Sequence, residues 1–316
     1  MNKLAIVVPC YNEEEVLEET TKQLSRVLDN LIDEQLVSDK SLILYVNDGS
    51  ADKTWPLIEK FHAENKYVSG VKLAKNEGHQ KALLAGLSVA ADISDITISI
   101  DADLQDDVNA IKEMVIKYNE GYDIVYGVRS TREADSWFKR TTALGFYSLM
   151  KKLGAKSVYN HADYRLMSKR ALKQLLEFRE RNLFLRGLVP LVGYQSTCVY
   201  YERKERFAGE SKYPLSKMLS FAVDGITSFS IQPIHFVFYL GLLFIIVSLC
   251  ILIYVLHSYF TGQVVAGWTS LMLSFWFCSG CILICLGVIG EYIGKIYIEV
   301  KNRPRYNIEK ILLPES

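Results

Sequence analysis

The sequence has no Asp, Glu, Lys or Arg anywhere between Asp224 and Glu291. A water-facing surface is hard to build from such a run. Two apolar segments within it, roughly 234–256 and 268–289, each exceed the ~20 residues that cross a hydrocarbon core. Cysteine is scarce: of the six, Cys250, Cys278, Cys281 and Cys285 lie in the apolar run, Cys10 follows one strand-like segment and Cys198 sits in another. None is spaced with histidine as a zinc site requires, and all read as small packing residues suited to a reducing cytoplasm. Neither sign of charge is in excess, with 36 basic and 36 acidic side chains; that total alone says nothing about nucleic acid, and no nucleic-acid partner is expected from the distribution of the charge. Internal repeats and low-complexity tracts are absent. So is a signal peptide, because Met1-Asn2-Lys3 runs straight into the apolar Leu4–Val8; membrane targeting is expected of the later apolar segments.

The charge that is present has a pattern. Arg203, Lys204, Arg206, Lys212 and Lys217 precede the apolar region, and Lys295, Lys301, Arg303 and Arg305 follow it, while the loop His257–Gly267 contains neither Lys nor Arg. Basic flanks mark the cytoplasmic, anionic side of a membrane. The expectation is a multi-pass protein of the plasma membrane. It has a cytoplasmic domain over 1–210, an interfacial amphipathic segment over 211–230, two transmembrane helices within 231–297 and a cytoplasmic tail over 298–316. Gly290 and Gly294 share a helical face, with Gly287 one turn earlier, a spacing that lets helices approach closely; a tight contact between the spans or a homo-oligomer is expected.

The N-terminal region switches repeatedly between a strand period and a helical one. Strands are expected at Leu4–Val8, Leu42–Val46, Gly70–Leu73, Ile96–Ile100 and Ile124–Val128. Helices are expected at Glu13–Leu31, with Asn12 as N-cap, and at Thr54–Ala63, His79–Ala90 and Asn109–Tyr118. Repeated βα implies an α/β fold with a mostly parallel sheet covered on both faces. Ligands bind beyond the carboxyl ends of such strands. The polar clusters Tyr11-Asn12-Glu13, Asp48-Gly49-Ser50, Asn76-Glu77-Gly78 and Asp101-Ala102-Asp103 fall there. Farther on, a basic amphipathic stretch over 137–152 and a loop near His161–Arg165 are expected.

Asp101-Ala102-Asp103 ends an apolar strand, with Gln105 two residues on. Alternate residues of an extended chain point the same way, so two carboxylates can converge on one cation. Oxygen ligands suit Mg²⁺ or Mn²⁺, which also take substrate phosphates, and such a metal neutralises charge on a nucleotide leaving group. Short Asp-x-Asp turns are equally common on plain surfaces. Other residues carry the same ambiguity: Asp48 also suits a turn cap, Gly78 and Gly86 suit packing, His79 suits a helix cap or a solvated position, and Asp163 suits a structural pair with Arg165.

The motifs Val7-Val8-Pro9-Cys10-Tyr11-Asn12-Glu13-Glu14, Val46-Asn47-Asp48-Gly49-Ser50-Ala51-Asp52-Lys53-Thr54 and Asp101-Ala102-Asp103-Leu104-Gln105-Asp106, in that order, closely resemble the glycosyltransferase family 2 pattern on the Rossmann-like GT-A fold. Further motifs extend the likeness: Asn76-Glu77-Gly78-His79-Gln80-Lys81-Ala82-Leu83-Leu84-Ala85-Gly86, Tyr126-Gly127-Val128-Arg129, Asp163-Tyr164-Arg165-Leu166-Met167 and Gly209-Glu210-Ser211-Lys212-Tyr213. These resemble the polyprenyl-phosphate glycosyltransferases, among them dolichol-phosphate mannose synthases and bactoprenol glucosyltransferases. The sequence departs from that pattern at Glu77, where an aromatic residue is expected, and at Asp107-Val108, where prolines are usual.

The resemblance implies roles. Pro9, Tyr11, Glu13 and Asp48 hold the donor's base and ribose. Asp101 and Asp103 bind Mg²⁺ or Mn²⁺ and the donor diphosphate, assisted by Gln105. Arg206, Ser211 and Lys212 close over the diphosphate, Arg129 and Arg140 hold the acceptor phosphate, and Asp103 and Asp163 are the candidate catalytic acids, Asp163 as base. The implied reaction is an inverting transfer from a nucleotide-sugar, UDP-glucose or UDP-N-acetylglucosamine, to undecaprenyl phosphate. A processive polysaccharide synthase normally carries Gln-x-x-Arg-Trp, and none of Trp55, Trp137, Trp268 and Trp276 follows an arginine. A catalytically inactive nucleotide-binding scaffold or a flippase partner is the alternative, although a transport path normally places ionisable residues inside the membrane.

Overall fold

Apolar runs with strand periodicity become β1 (Leu4–Cys10), β2 (Leu42–Asn47), β3 (Val68–Leu73), β4 (Ile96–Ser99) and β5 (Ile124–Arg129). Between them lie α1 (Leu17–Asp33), α2 (Thr54–Glu64), α3 (His79–Ile93) and α4 (Ala110–Asn119). The computed structural model describes residues 1–130, 161–181, 183–202, 232–261 and 267–314. Every residue of β1 and β2 is buried, as expected of central parallel strands covered on both faces. The rest of the described chain adds β6 (His161–Ser168), α5 (Lys169–Leu176), the single turn α6 (Leu185–Leu188), β7 (Ser196–Tyr201), two long helices α7 (Gln232–Phe260) and α8 (Trp268–Val300), and β8 (Ile308–Leu312).

Among the described residues, eight strands form one sheet in the order β7-β5-β6-β4-β1-β2-β3-β8. β1 pairs in parallel with β2 and β4, β2 with β3, and β5 with β7. β6 runs antiparallel between β4 and β5, and β8 runs antiparallel along β3. This is the expected α/β fold with a mostly parallel sheet. The helix α3 lies close on it: a Cβ at Gly86 would come within 2.5 Å of Val7 Cγ1 and Val46 Cγ2. The packing reading of that glycine therefore holds.

Four details differ from the sequence reading. His161–Arg165 is strand rather than loop, because the polar pair Asp163 and Arg165 satisfies itself inside the sheet. Asn12 does not cap a helix. It sits at φ 54, a region Asn tolerates, and α1 begins only at Leu17. The helix α8 continues past 289 to Val300, since Glu291, Lys295 and Glu299 limit an apolar span but not a hydrogen-bonded helix. Finally, residues 308–312 of the expected tail form a strand of the N-terminal sheet. Among the described residues, the stretch Phe277–Val300 is long and apolar enough to cross a membrane; α7 is 29 residues long.

The chain divides into two compact units. One carries the sheet and includes the segment from Arg303 onward; the other holds α7 and α8. Among the described residues, Cβ atoms at Gly287, Gly290 and Gly294 would meet nothing within 4 Å.

Candidate active site

The strand β4 delivers Asp101 to the carboxyl edge of the sheet, and the following loop is pinned along its length. Burial alternates over Asp101–Val108: Asp101, Asp103, Gln105 and Asp107 are half-buried, while Ala102, Leu104, Asp106 and Val108 are buried. The segment is a turn rather than extended chain, with Leu104 at φ 56, and it leaves Asp101, Asp103 and Gln105 partly accessible. Thr20 donates to the Ala102 carbonyl (2.9 Å) and Tyr164 to the Asp107 carbonyl (3.0 Å). The Asp106 carboxylate turns inward, where Oδ1 accepts from Tyr201 Oη (2.6 Å) and from Arg129 Nη2 (3.0 Å). Burial and the neighbouring Asp163, Asp106 and Asp103 push the Asp101 carboxyl up to about 6, with His79 acting in the other direction. Negative charge is thus concentrated on an ordered loop.

The loops after β1 and β2 are laced together. Asn12 N donates to Ser50 Oγ (3.0 Å), Asn12 Oδ1 accepts from Ala51 N (2.9 Å), and Glu13 N donates to Thr54 Oγ1 (2.9 Å). Pro9 is buried at the end of β1, Tyr11 is 49% exposed just beyond it, and Glu13 is half-buried. Asp48 is buried, and its two oxygens accept from the backbone N–H groups of Glu77 (2.7 Å) and Gly78 (3.0 Å). Its carboxylate therefore shapes the loop before α3. Burial pushes this carboxyl up, against the pull of those two N–H groups. The contact uses the Glu77 backbone, so the non-aromatic side chain leaves it intact; that side chain pairs with Lys75 and Lys81. Gly49 is required here, since its φ is +62 and a Cβ would strike the backbone of Lys75 and Asn76.

Beside the acidic loop lies a charge cluster in which the expected Asp163–Arg165 pair is joined by Arg186 and His79. Asp163 is buried in β6; its Oδ1 accepts from Arg165 Nη2 (2.5 Å) and its Oδ2 from Arg186 Nη2 (3.1 Å). His79, the first residue of α3, places Nε2 3.8 Å from Asp163 Oδ2 and 3.6 Å from Asp101 Oδ1. Burial raises the Asp163 carboxyl, but Arg186, Arg165 and His79 outweigh it and hold the group well below the usual carboxylate range.

Residues 5–176 match the model of "Glycosyl transferase family 2". The chain belongs to glycosyltransferase family 2. It is 57% identical over 313 residues, 99% of this chain and 93% of its relative, to "Uncharacterized glycosyltransferase YkoT" of Bacillus subtilis (strain 168). It is 38% identical over 310 residues, 98% of each chain, to "SfII prophage-derived bactoprenol glucosyl transferase" of Shigella flexneri. Among solved structures, mannosyl-3-phosphoglycerate synthase from Rubrobacter xylanophilus gives a TM-score of 0.49 at 18% identity, over 72% of this chain and 73% of that one.

This family 2 glycosyltransferase brings Pro9, Tyr11, Glu13, Asp48, Asp101, Asp103 and Gln105 to one edge of its sheet, and Asp163 with them. Arg129 reaches the same edge but is committed to Asp106: burial works against its charge, and Asp106 with Tyr201 more than restores it. Arg140, Arg206, Ser211 and Lys212 lie outside the described residues. Asp106, His79 and Arg186 were the residues that sequence reasoning left without a role. His79 had a signal, a histidine opening a helix at a strand edge; Arg186, in an apolar run far along the chain, had none.

Proposed function

We propose that this glycosyltransferase moves a sugar, with inversion, from UDP-glucose or UDP-N-acetylglucosamine to undecaprenyl phosphate at the plasma membrane. The site observation that carries this reading is the pinned acidic loop Asp101–Asp107 beside the Asp163, Arg165 and Arg186 cluster: acids for a metal and cations for phosphate at one sheet edge. The acceptor part rests on the near-full-length similarity to a relative named as a bactoprenol glucosyl transferase.

The residues present fit a divalent ion. Among the described residues no group of three or more His, Cys, Asp and Glu side chains forms a metal cage, but Mg²⁺ and Mn²⁺ are commonly held by one or two carboxylates plus substrate phosphates. The Asp101 carboxyl, pushed up by burial and by the neighbouring acids, is the charge that such an ion would offset. Asp101 and Asp103 would hold it, with Gln105 beside them, and when bound it would neutralise charge on the departing diphosphate.

The rest of the chemistry belongs to the chain. A phosphate oxygen of the lipid forms the new bond to the anomeric carbon as the bond to the donor diphosphate breaks, leaving UDP and a lipid-phosphate sugar. A phosphomonoester has a second pKa of ~6 and needs positioning more than deprotonation. Asp163, held ionised by two guanidiniums, is a weak base and a good orienting anion. We assign it the second task in place of the first.

Both long helices serve the lipid acceptor in this reading, as two spans with the sheet-bearing unit in the cytoplasm. The tail supports that topology. Because β8 pairs with β3, a chain that enters the membrane after the first unit must return to the same side, so its crossings are even in number. The decisive experiment is a donor screen: purified enzyme, undecaprenyl phosphate, a divalent ion and labelled nucleotide-sugars. Labelled lipid with a uridine diphosphate sugar supports the reading; tight donor binding without turnover points to an inactive scaffold.

A further inference from the structure

The loop 75–78 joins β3 to α3 and carries the two N–H groups that hold Asp48, those of Glu77 and Gly78. Its inner side is packed, since a Cβ at Gly49 would strike the backbone of Lys75 and Asn76. Its far end is pliable by sequence: Gly78 sits at φ +93 with open space around it, a conformation that glycine adopts without steric cost. Such a loop keeps two N–H groups aimed at one carboxylate only if both of its ends are fixed. What fixes them comes from the other end of the chain.

The strand β8 begins beside the end of β3, where the loop starts. Lys72 pairs with Lys310 but Leu73 pairs with Ile308, so Glu309 is one residue extra, a bulge of the kind that bends a strand and re-aims its neighbours. Before the bulge, the Asn307 carbonyl accepts from Ala74 N (2.9 Å), immediately ahead of the loop. Tyr306 Oη donates to Ser88 Oγ (2.9 Å), in the helix immediately behind it. Arg305 Nη2 donates to the Phe178 carbonyl, just past α5. The adjacent residues Tyr306 and Asn307 thus grip the loop at its two ends. The helix α3 is stiff and opens with His79, 3.6 Å from Asp101, so a hold at Ser88 is a hold on the site. Strand pairing alone would cover the edge of β3; it requires neither the bulge nor the tyrosine hydroxyl.

We propose that Tyr306 is a positioning residue for the donor site: from the C-terminal segment it fixes α3 and the loop 75–78, and through that loop's N–H groups the Asp48 carboxylate. The segment that follows α8 is then a support of the active site as well as an edge strand. The consequence for the donor rests on the glycosyl-transfer reading above; the hold on the loop does not.

The test uses the full chain in detergent, as wild type, Tyr306→Phe, Tyr306→Ala, Ser88→Ala and the double variant Tyr306→Phe with Ser88→Ala. Hydrogen exchange of the Glu77 and Gly78 amides reads the loop directly, and the amides of β1 and β2 report general loosening. Steady-state KM for the nucleotide-sugar and for undecaprenyl phosphate, with direct binding of UDP, reads the consequence. Loss of one hydrogen bond in Tyr306→Phe is expected to speed loop exchange and raise donor KM about fivefold. Tyr306→Ala should give about tenfold or more, with kcat, lipid KM and the exchange of β1 and β2 unchanged. Ser88→Ala should match Tyr306→Phe, and the double variant should go no further, because each change removes the same contact. Unchanged loop exchange in Tyr306→Ala overturns the proposal, as do unchanged donor KM and UDP binding, faster exchange shared by β1 and β2, or an equal rise in lipid KM. If the wild type turns over no donor, the functional reading fails by itself, and exchange at Glu77 and Gly78 still decides whether Tyr306 holds the loop.

Discussion

At the scale of single residues, the site is a set of carboxylates with separate tasks. Asp101, Asp103 and Gln105 are partly accessible, whereas Asp106, three residues after Asp103, faces inward and anchors their loop. Asp103→Asn is therefore expected to lower kcat by several orders of magnitude with unfolding temperature unchanged, and a chelator should abolish wild-type turnover; kinetics with and without added Mg²⁺ check both. Arg129 demands a different expectation from the one its motif suggests. Its guanidinium holds Asp106 rather than standing open for a lipid phosphate, so Arg129→Ala should disturb the loop that carries Asp101 and Asp103. Donor KM should rise together with lipid KM, and Tyr201→Phe, which removes the other hydrogen bond to Asp106, should produce a smaller version of the same change at a stability cost of about 1 kcal/mol. A rise in lipid KM alone for Arg129→Ala would return this arginine to the acceptor.

At the scale of elements, what was legible followed from hydrophobic periodicity. β1 to β5 and α2 to α4 emerge within a few residues of where strand and helix periods place them, because parallel strands buried on both faces carry continuous apolar runs. The misreading of β6 has a physical cause, polar residues whose partners are distant in sequence. β6 looked like a loop because it contains Asp163 and Arg165, which a strand can bury only with partners such as Arg186, and local patterning cannot reveal those. That buried polar strand also sets a pH dependence. The Asp163 carboxyl lies below its unfolded value of about 3.9, so the stability it contributes is complete above that value and is lost as pH falls further toward its depressed folded value. Denaturant midpoints of the wild type should drop more steeply below about pH 4 than those of Asp163→Asn. At neutral pH that variant should be the weaker by about 3–5 kcal/mol, because it strands a buried guanidinium. The α3 packing gives a second check. Gly86→Ala pushes a methyl group against Val7 and Val46, and overpacking of this kind costs about 1–3 kcal/mol.

At the scale of the whole molecule, the decisive feature is one that hydropathy could not supply. The expected tail is an edge strand: β8 pairs with β3, Ala74 N donates to the Asn307 carbonyl (2.9 Å), Tyr306 Oη donates to Ser88 Oγ (2.9 Å) and Lys72 pairs with Glu309 (2.8 Å). Edge strands left open invite pairing with other chains, so removal of residues 303–316 should expose β3 and lower both stability and solubility. The same strand constrains topology independently of the basic flanks. If α7 and α8 span the bilayer, β8 lies on the side of Met1, and the connection between the helices lies on the other. A single cysteine at Gln263, outside the described residues, in a chain whose six native cysteines are replaced by Ala, should react with a membrane-impermeant maleimide added to intact cells. A single cysteine at Ser316 should react only after the cells are opened. Labelling of Ser316→Cys from outside, with Gln263→Cys protected, would put the sheet outside the cell, away from cytoplasmic nucleotide-sugars. Protection of both until lysis would mean that α7 and α8 do not cross at all, since β8 keeps the two ends of the chain together in either case.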